Sequence, residues 1–385
     1  MNSVEIFTGA GGLALGMGLA GFKHLALVEW DKHSCDTIRL NQMLKNQMVS
    51  DWPVFEQDVR DFAFKFNQPV ELLAGGPPCQ PFSTGGKHLG NEDQRNMFPQ
   101  AIRAVRELTP KAFLFENVKG LTRKSFATYF QYILLQLNYP EVILKDSQDW
   151  TDHLSVLEKH HTKGTYNGLR YNVVARVLTA ADYGVPQKRE RVIIVGIRAD
   201  LKREWSYPVA THSEESLLHD QWITGEYWDR NKVPTSERPC KPADINRNKE
   251  RWFEAAKMTK PWRTVREAIS DLPTPQSALS KKIYNHEIRG GAKIYPGHTG
   301  SPYDYPAKTL KAGDHGVPGG ENMVVLPNGE VRYFTVREAA RIQTFPDNYV
   351  LNGCWTEAMR QLGNAVPMEL ARTLGNHLHL CIENC

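Results

Sequence analysis

Residues 3–14 read S-V-E-I-F-T-G-A-G-G-L-A, a short apolar run that stops at Gly9, Gly11 and Gly12. A strand that ends in glycines can turn sharply and start a helix whose free N–H groups point at a ligand. Gly9, Gly11 and Ala14 satisfy the loose G-x-G-x-x-A pattern of dinucleotide-binding turns. Gly16, Gly18 and Gly21 satisfy it too, but they begin inside the helix and read as close helix packing. Outward from this turn, short apolar strands alternate with helical stretches: H-L-A-L-V-E-W (24–30), V-E-L-L-A (70–74), A-F-L-F-E (112–116), N-V-V-A-R-V-L (172–178) and R-V-I-I-V-G-I (191–197). That alternation predicts an α/β fold, a parallel sheet wrapped by helices.

Glu29 ends the second strand where a carboxylate accepts ribose hydroxyls, and Trp30 beside it can stack on an adenine. Asp58, in F-E-Q-D-V-R-D-F (55–62), can take an adenine amino group from the third strand. These residues point to an adenosine cofactor without saying which.

The 385 residues, 41% of them hydrophobic, are enough for one large domain and a smaller one. No stretch reaches the roughly 18 apolar residues of a membrane span, so no membrane partner and a cytoplasmic location are expected. The six cysteines lack a C-x-x-C, which argues for reduced thiols and against a zinc ribbon. The ending H-L-H-L-C-I-E-N-C (377–385) converges poorly on an ion, so no metal is expected. A net charge of +4 permits a polyanionic partner without requiring one.

Cys79 lies in A-G-G-P-P-C-Q-P-F-S (74–83), on a stiff turn just past a strand end. A cysteine that merely fills a core needs no such frame. As a nucleophile it needs an activated substrate, because a free thiol is mostly protonated at neutral pH. Glu116, in F-L-F-E-N-V (113–118), directly follows a hydrophobic strand, where partial burial would raise its pKa and keep it a proton donor. A carboxyl serving a ring nitrogen while sulfur adds to a neighbouring ring carbon describes addition across a pyrimidine.

At this point the chain resembles the cytosine-5 DNA methyltransferases. F-T-G-A-G-G-L (7–13), G-P-P-C-Q-P-F-S (76–83), E-N-V (116–118), Q-K-R-E-R (187–191), R-E-A-A-R-I-Q (337–343) and G-N-A-V-P (363–367) resemble that family's motifs, in its order. The resemblance implies a Rossmann-like S-adenosylmethionine-dependent methyltransferase sheet with a smaller, loop-rich target-recognition domain. It implies that Cys79 attacks C6 of a flipped cytosine, Glu116 engages N3, and C5 takes a methyl group from S-adenosylmethionine. Arg189 and Arg191 would hold Glu116 and the cytosine, and Asn117 would brace the site. Phe7, Gly9, Gly11, Glu29, Trp30, Asp58, Val59, Pro78, Phe98, Asn364 and Val366 would line the cofactor pocket. Gln80, Ser83, Lys87 and Arg95, in or beside a glycine-rich closing loop (82–96), would meet double-stranded DNA, and Thr309 and Leu310 would lie near the flipped base.

The resemblance implies a catalytic domain over residues 1–200, completed by 355–385. Residues 201–354, with the 337–343 motif and the hinge, would form the recognition domain. There basic residues mix with Trp252, Phe253, Trp262, Tyr284, Tyr295, Tyr303 and Tyr305, a character that favours DNA. The polar stretch 140–164 looks longer than the family's usual connection and reads as a surface elaboration. The expected enzyme is a monomeric modification methyltransferase, with a cognate restriction endonuclease acting independently. A tRNA cytosine-5 methyltransferase shares the chemistry, but its recognition region is compact. A dinucleotide-dependent oxidoreductase leaves Cys79, Glu116 and Q-K-R-E-R unexplained, and a catalytically silent DNA-binding protein would need neither Cys79 nor Glu116.

Overall fold

The computed structural model describes residues 1–78, 96–145, 148–241, 245–296, 299–312 and 322–383. Its frame is a seven-stranded sheet built from β1 (Asn2–Ile6), β2 (Lys23–Glu29), β3 (Val54–Glu56), β4 (Leu72–Gly75), β5 (Ala112–Val118), β6 (Tyr171–Thr179) and β8 (Glu190–Arg198). A two-residue strand β7 (Gln187–Lys188) precedes β8 outside this sheet. The spatial order is β3-β2-β1-β4-β5-β8-β6. The first five strands are parallel, linked by crossovers that include α1 (Gly12–Leu19), α2 (Lys32–Met43) and α3 (Phe98–Leu108).

The expectation of one continuing parallel pattern fails at β8. β8 runs antiparallel to both β5 and β6. Parallel neighbours need a long crossover, whereas β6 and β8 are joined by residues 180–189, which hold only a 3-10 turn and β7.

Alternation along each strand fills both faces of the sheet. Leu73, Phe113, Phe115, Val192 and Ile194 pack on one side with Ile102 and Val105 of α3 and Ile133 and Leu137 of α4 (Ala127–Asn138). Leu72, Leu114, Ile193 and Val195 pack on the other with Leu13 and Met17 of α1 and Leu370, Leu374 and Leu378 of the helix Met368–Ile382. Strands buried on both faces read as near-continuous apolar runs, which is why they stand out in the sequence.

α1 and the helix Met368–Ile382 touch backbone to backbone. A Cβ on Gly16 would come 2.4 Å from Ala371 Cβ and 2.6 Å from Arg372 N, so Gly16 does serve helix packing.

The stretch 140–164 is more than polar surface. It carries α5 (Trp150–Lys163), capped by Asp149 and ended by Gly164 in the left-handed region. α5 packs Leu154 and Leu157 against Tyr132, Leu135 and Tyr139. His153 is buried between the Tyr132 hydroxyl (2.8 Å) and the Val142 carbonyl (3.0 Å).

Among the described residues of 201–354 the strands have two or three residues and the longest element is the helix Ile245–Met258. A small core of Leu217, Tyr227, Trp228, Val233 and Trp262 anchors them. Trp252 and Trp262 are buried, while Phe253 and Tyr284 are exposed. Another apolar cluster joins Ala10 and Ala14 beside the glycine turn to Val265, Ala307, Leu310, Val336 and Leu362. No helix among the described residues is long and apolar enough to cross a membrane.

Candidate active site

Strand order reverses between β1 and β4, and ligands of open α/β sheets bind beyond the carboxyl ends of strands at such a switch point. β1 ends there in the glycine turn and β4 ends in Gly75 and Gly76, so both sequence-predicted sites lie at one edge of the sheet.

Phe7, Gly9 and Gly11 take positive φ values of 58°, 56° and 85°. The Gly9 amide donates to Glu29 Oε2 at 2.7 Å, and the Asp31 amide donates to Glu29 Oε1 at 2.8 Å. Glu29 therefore ties the turn to β2. Burial pushes its carboxyl up, and the Asp31 and Gly9 amides pull it back. Glu5, in the middle of β1, is buried as well, and burial drives its carboxyl well above the ordinary range. The sequence signal for Glu5 was an acid inside an apolar run.

No side chain caps the first turn of α1, which leaves its N–H groups to a ligand. A Cβ on Gly9 would meet nothing within 4 Å, and Trp30 is 67% exposed beside this space. Asp58 is not free: its carboxylate binds the Arg60 amide at 2.8 Å and the Arg60 guanidinium at 2.5 Å, which holds its pKa down. Val59 and Phe98 are buried. Val366 reaches the turn from the far end of the chain, since a Cβ on Gly12 would lie 2.5 Å from Val366 O. Asn364, at the end of the helix Trp355–Asn364, is exposed. An open glycine cradle, uncapped amides, a tethered carboxylate and an exposed indole fit an adenosine-bearing cofactor.

Cys79, Gln80, Ser83, Lys87 and Arg95 lie outside the described residues, whose edges are nonetheless held. Met97 N donates to Pro78 O at 3.1 Å, so Pro78 and Met97 meet. Asn117 Nδ2 donates to Pro77 O at 2.8 Å, bracing the approach to Cys79 from β5. Asn96 Nδ2 donates to the Tyr129 hydroxyl at 2.5 Å, and the Tyr129 ring meets Trp150 of α5 edge-on at 5.6 Å. No motif in the sequence marks Tyr129 or Trp150.

Glu116, 7% exposed near the end of β5, faces Gly76, where a Cβ would stand 3.5 Å from Glu116 Oε2. Arg191 Nε stands 2.7 Å from Glu116 Oε1, close enough for an ion pair although the alignment of a hydrogen bond is lacking. Cross-strand pairing of Glu116 with Ile193 and of Val118 with Arg191 sets this contact.

Arg189 departs from the expected role. Its Nη1 donates to Leu310 O at 3.3 Å and its Nη2 to Gly363 O at 2.8 Å, while Arg191 pairs with Glu116. Leu310 also departs from it, because its side chain is buried in the apolar cluster and cannot face a base. Its amide accepts no freedom either, donating to Gln187 Oε1 at 3.0 Å. Thr309 is half-buried, and its hydroxyl donates to Lys188 O at 3.1 Å. Gln187 Nε2 donates to Gln343 Oε1 at 3.0 Å, and Gln343 Nε2 donates to Leu362 O at 2.5 Å. Buried amides thus stitch Q-K-R-E-R, the 307–311 stretch, R-E-A-A-R-I-Q and G-N-A-V-P together. Among the described residues no three His, Cys, Asp or Glu side chains gather as a metal site.

The family model for C-5 cytosine-specific DNA methylases matches residues 1–139 and 152–379, so the internal gap takes in the approach to α5 and its first two residues. The chain belongs to that family and is a cytosine-5 DNA methyltransferase. It is 35% identical over 380 residues to the Type II methyltransferase M.PspPI of Psychrobacter sp., covering 97% of this chain and 77% of that protein. It is 30% identical over 377 residues to M.NgoMIV of Neisseria gonorrhoeae, covering 98% and 96%. Among solved structures, a DNA modification methyltransferase from an Escherichia coli prophage aligns with a TM-score of 0.57 at 21% identity, covering 100% of this chain and 99% of that one. The S. pombe Dnmt2 methyltransferase aligns at 0.56 and 15%, covering 99% and 98%; these two likenesses speak to the fold.

Proposed function

We propose that the protein is the modification methyltransferase of a Type II restriction-modification system, acting on a short site in double-stranded DNA with S-adenosylmethionine as cofactor. The Type II relatives support the first part and the open glycine turn the second. The target cytosine leaves the stack, since a stacked base cannot present C6 to a thiol. Cys79 adds to C6 while Glu116 engages N3, which makes C5 nucleophilic. S-adenosylmethionine supplies the methyl group that C5 takes. Loss of the C5 proton then expels the Cys79 sulfur and restores the ring.

The observation that carries this reading is the Glu116–Arg191 pair at 2.7 Å, set beside Gly76 and the Pro77 carbonyl that Asn117 holds, three and two residues before Cys79. Residues 201–354 choose the target and the sheet domain supplies the chemistry. A cognate endonuclease would act separately on the same site.

Bisulfite sequencing of DNA from cells expressing the protein reads both activity and target. Duplexes carrying 5-fluorocytosine at that target should trap the wild type covalently, because fluorine cannot leave as a proton does, and should not trap Cys79→Ala. Methylated RNA with unmethylated DNA, or trapping of the alanine variant, would overturn the proposal.

A further inference from the structure

Gln187, Arg189 and Arg191 lie at alternate positions, yet each serves a different part of the molecule. Arg191 faces Glu116, Gln187 holds the Leu310 amide, and Arg189 reaches the Leu310 and Gly363 carbonyls. Arg189 is 1% exposed, and its Nε has no partner among the described residues. A guanidinium whose hydrogen bonds among the described residues go to carbonyls is costly to bury, and an apolar residue of that volume would fill the same space. Its bonds therefore do something that filling cannot.

What they join is specific. A Cβ on Gly363 would come 2.3 Å from Ala312 N and 2.5 Å from Lys311 C, so the two backbones meet with no side chain between them. Lys311 is fixed in turn by Asn322: its amide donates to Asn322 Oδ1 and Asn322 Nδ2 donates to its carbonyl, each at 3.0 Å. On the other side of Gly363, the chain continues through Asn364 to Val366, which lies against Gly12 of the glycine turn. Arg189 thus clamps a place where the 309–312 segment of the recognition region abuts the 363–366 segment of the cofactor edge.

We infer that Arg189 is a positioning residue that couples the two edges, so that target DNA and the S-adenosyl cofactor bind cooperatively through it. The inference rests on the function proposed above. A duplex that shifts residues 309–312 moves Leu310 O and Gly363 O together while Arg189 bonds both. Without the guanidinium the two segments respond independently. A path of contacts is not itself a coupling, so the test is thermodynamic.

The probe is S-adenosylhomocysteine, titrated calorimetrically into wild type and Arg189→Met, alone and with a duplex carrying the site found by bisulfite sequencing. In the wild type the duplex should tighten binding at least about fivefold, the low end of ordinary coupling. In Arg189→Met that factor should fall to near one, with each ligand alone still binding. Asn322→Ala removes the two Asn322 bonds to the Lys311 backbone without touching a buried charge and should lower the same factor, which keeps the inference testable if Arg189→Met misfolds. Arg189→Lys should restore part of it. Full coupling in a folded Arg189→Met, or its failure to bind duplex at all, overturns the inference. A wild type that binds duplex and cofactor independently overturns this inference alone, whereas one that binds no duplex overturns the proposed function as well.

Discussion

The sheet domain and the region 201–354 are held together in different ways. In the sheet, long ladders fix the backbone, and polar side chains such as Glu116, Asn117 and Arg191 are spared for the site. In the second region the strands have two or three residues, and side chains do the fixing. Asp304 accepts from Arg266 at 2.5 and 3.0 Å and from the Tyr227 hydroxyl at 2.8 Å, while Thr264 and Glu267 form a capping box at the helix Val265–Ile269. A ladder tolerates many side chains, so one frame can hold one chemistry; a web of side chains is rebuilt whenever its sequence changes. The chemistry should then be separable from the choice of site.

The largest effect that could break this division is at Glu116. Glu116→Gln should lower turnover by about 10²–10⁴-fold, the usual worth of a positioned acid or base, with S-adenosylhomocysteine affinity little changed. Single-turnover methylation and a binding titration would separate the two, and a variant that mainly lost cofactor affinity would place Glu116 elsewhere. Next, exchanging residues 201–354 for those of a relative with a known site should move specificity to the donor's site, scored by bisulfite sequencing. An active chimera faithful to the original site would show that the sheet domain reads bases.

Stability sharpens the contrast further. His24 of β2 is buried between the Ser3 hydroxyl (2.9 Å) and the Ala14 carbonyl (3.0 Å), and burial pushes its pKa down to about 4. Unfolded, it titrates near about 6.5. Below that pH the unfolded chain binds a proton that the folded chain refuses, so stability is full above about 6.5 and falls towards pH 4, by roughly 3 kcal/mol. Urea unfolding across that range should show the slope, and His24→Gln should flatten it. Smallest is Gly16→Ala: a methyl pressed on the backbone at Arg372 should cost about 1–3 kcal/mol, read as a lower Tm with unchanged DNA specificity.

The sheet was legible because strands buried on both faces leave apolar runs, and the glycine turn because only a few backbones can follow β1 so closely. Strand direction was not, since an apolar run looks the same either way, and only the short 180–189 link betrays the reversal. Apart from R-E-A-A-R-I-Q (337–343) and the Thr309–Leu310 pair, the region 201–354 yielded little beyond composition, because tertiary side-chain bonds such as Arg266 to Asp304 have no period in sequence. Two arginines one residue apart in Q-K-R-E-R gave no hint that one meets a carboxylate and the other two carbonyls. α5 had its signals, Asp149 at one end and Gly164 at the other, hidden in a stretch that looked merely polar.

The contact of Gly16 with Ala371 and Arg372 also sets an order of events during synthesis. One face of the sheet waits for Leu370, Leu374 and Leu378, which leave the ribosome more than 300 residues after α1. At about 5–20 residues per second the nascent chain carries Leu13, Met17 and that sheet face uncovered for tens of seconds. A ribosome-bound chain arrested before residue 368 should therefore be a chaperone client and protease-sensitive, and release of the segment 368–382 should end both states together.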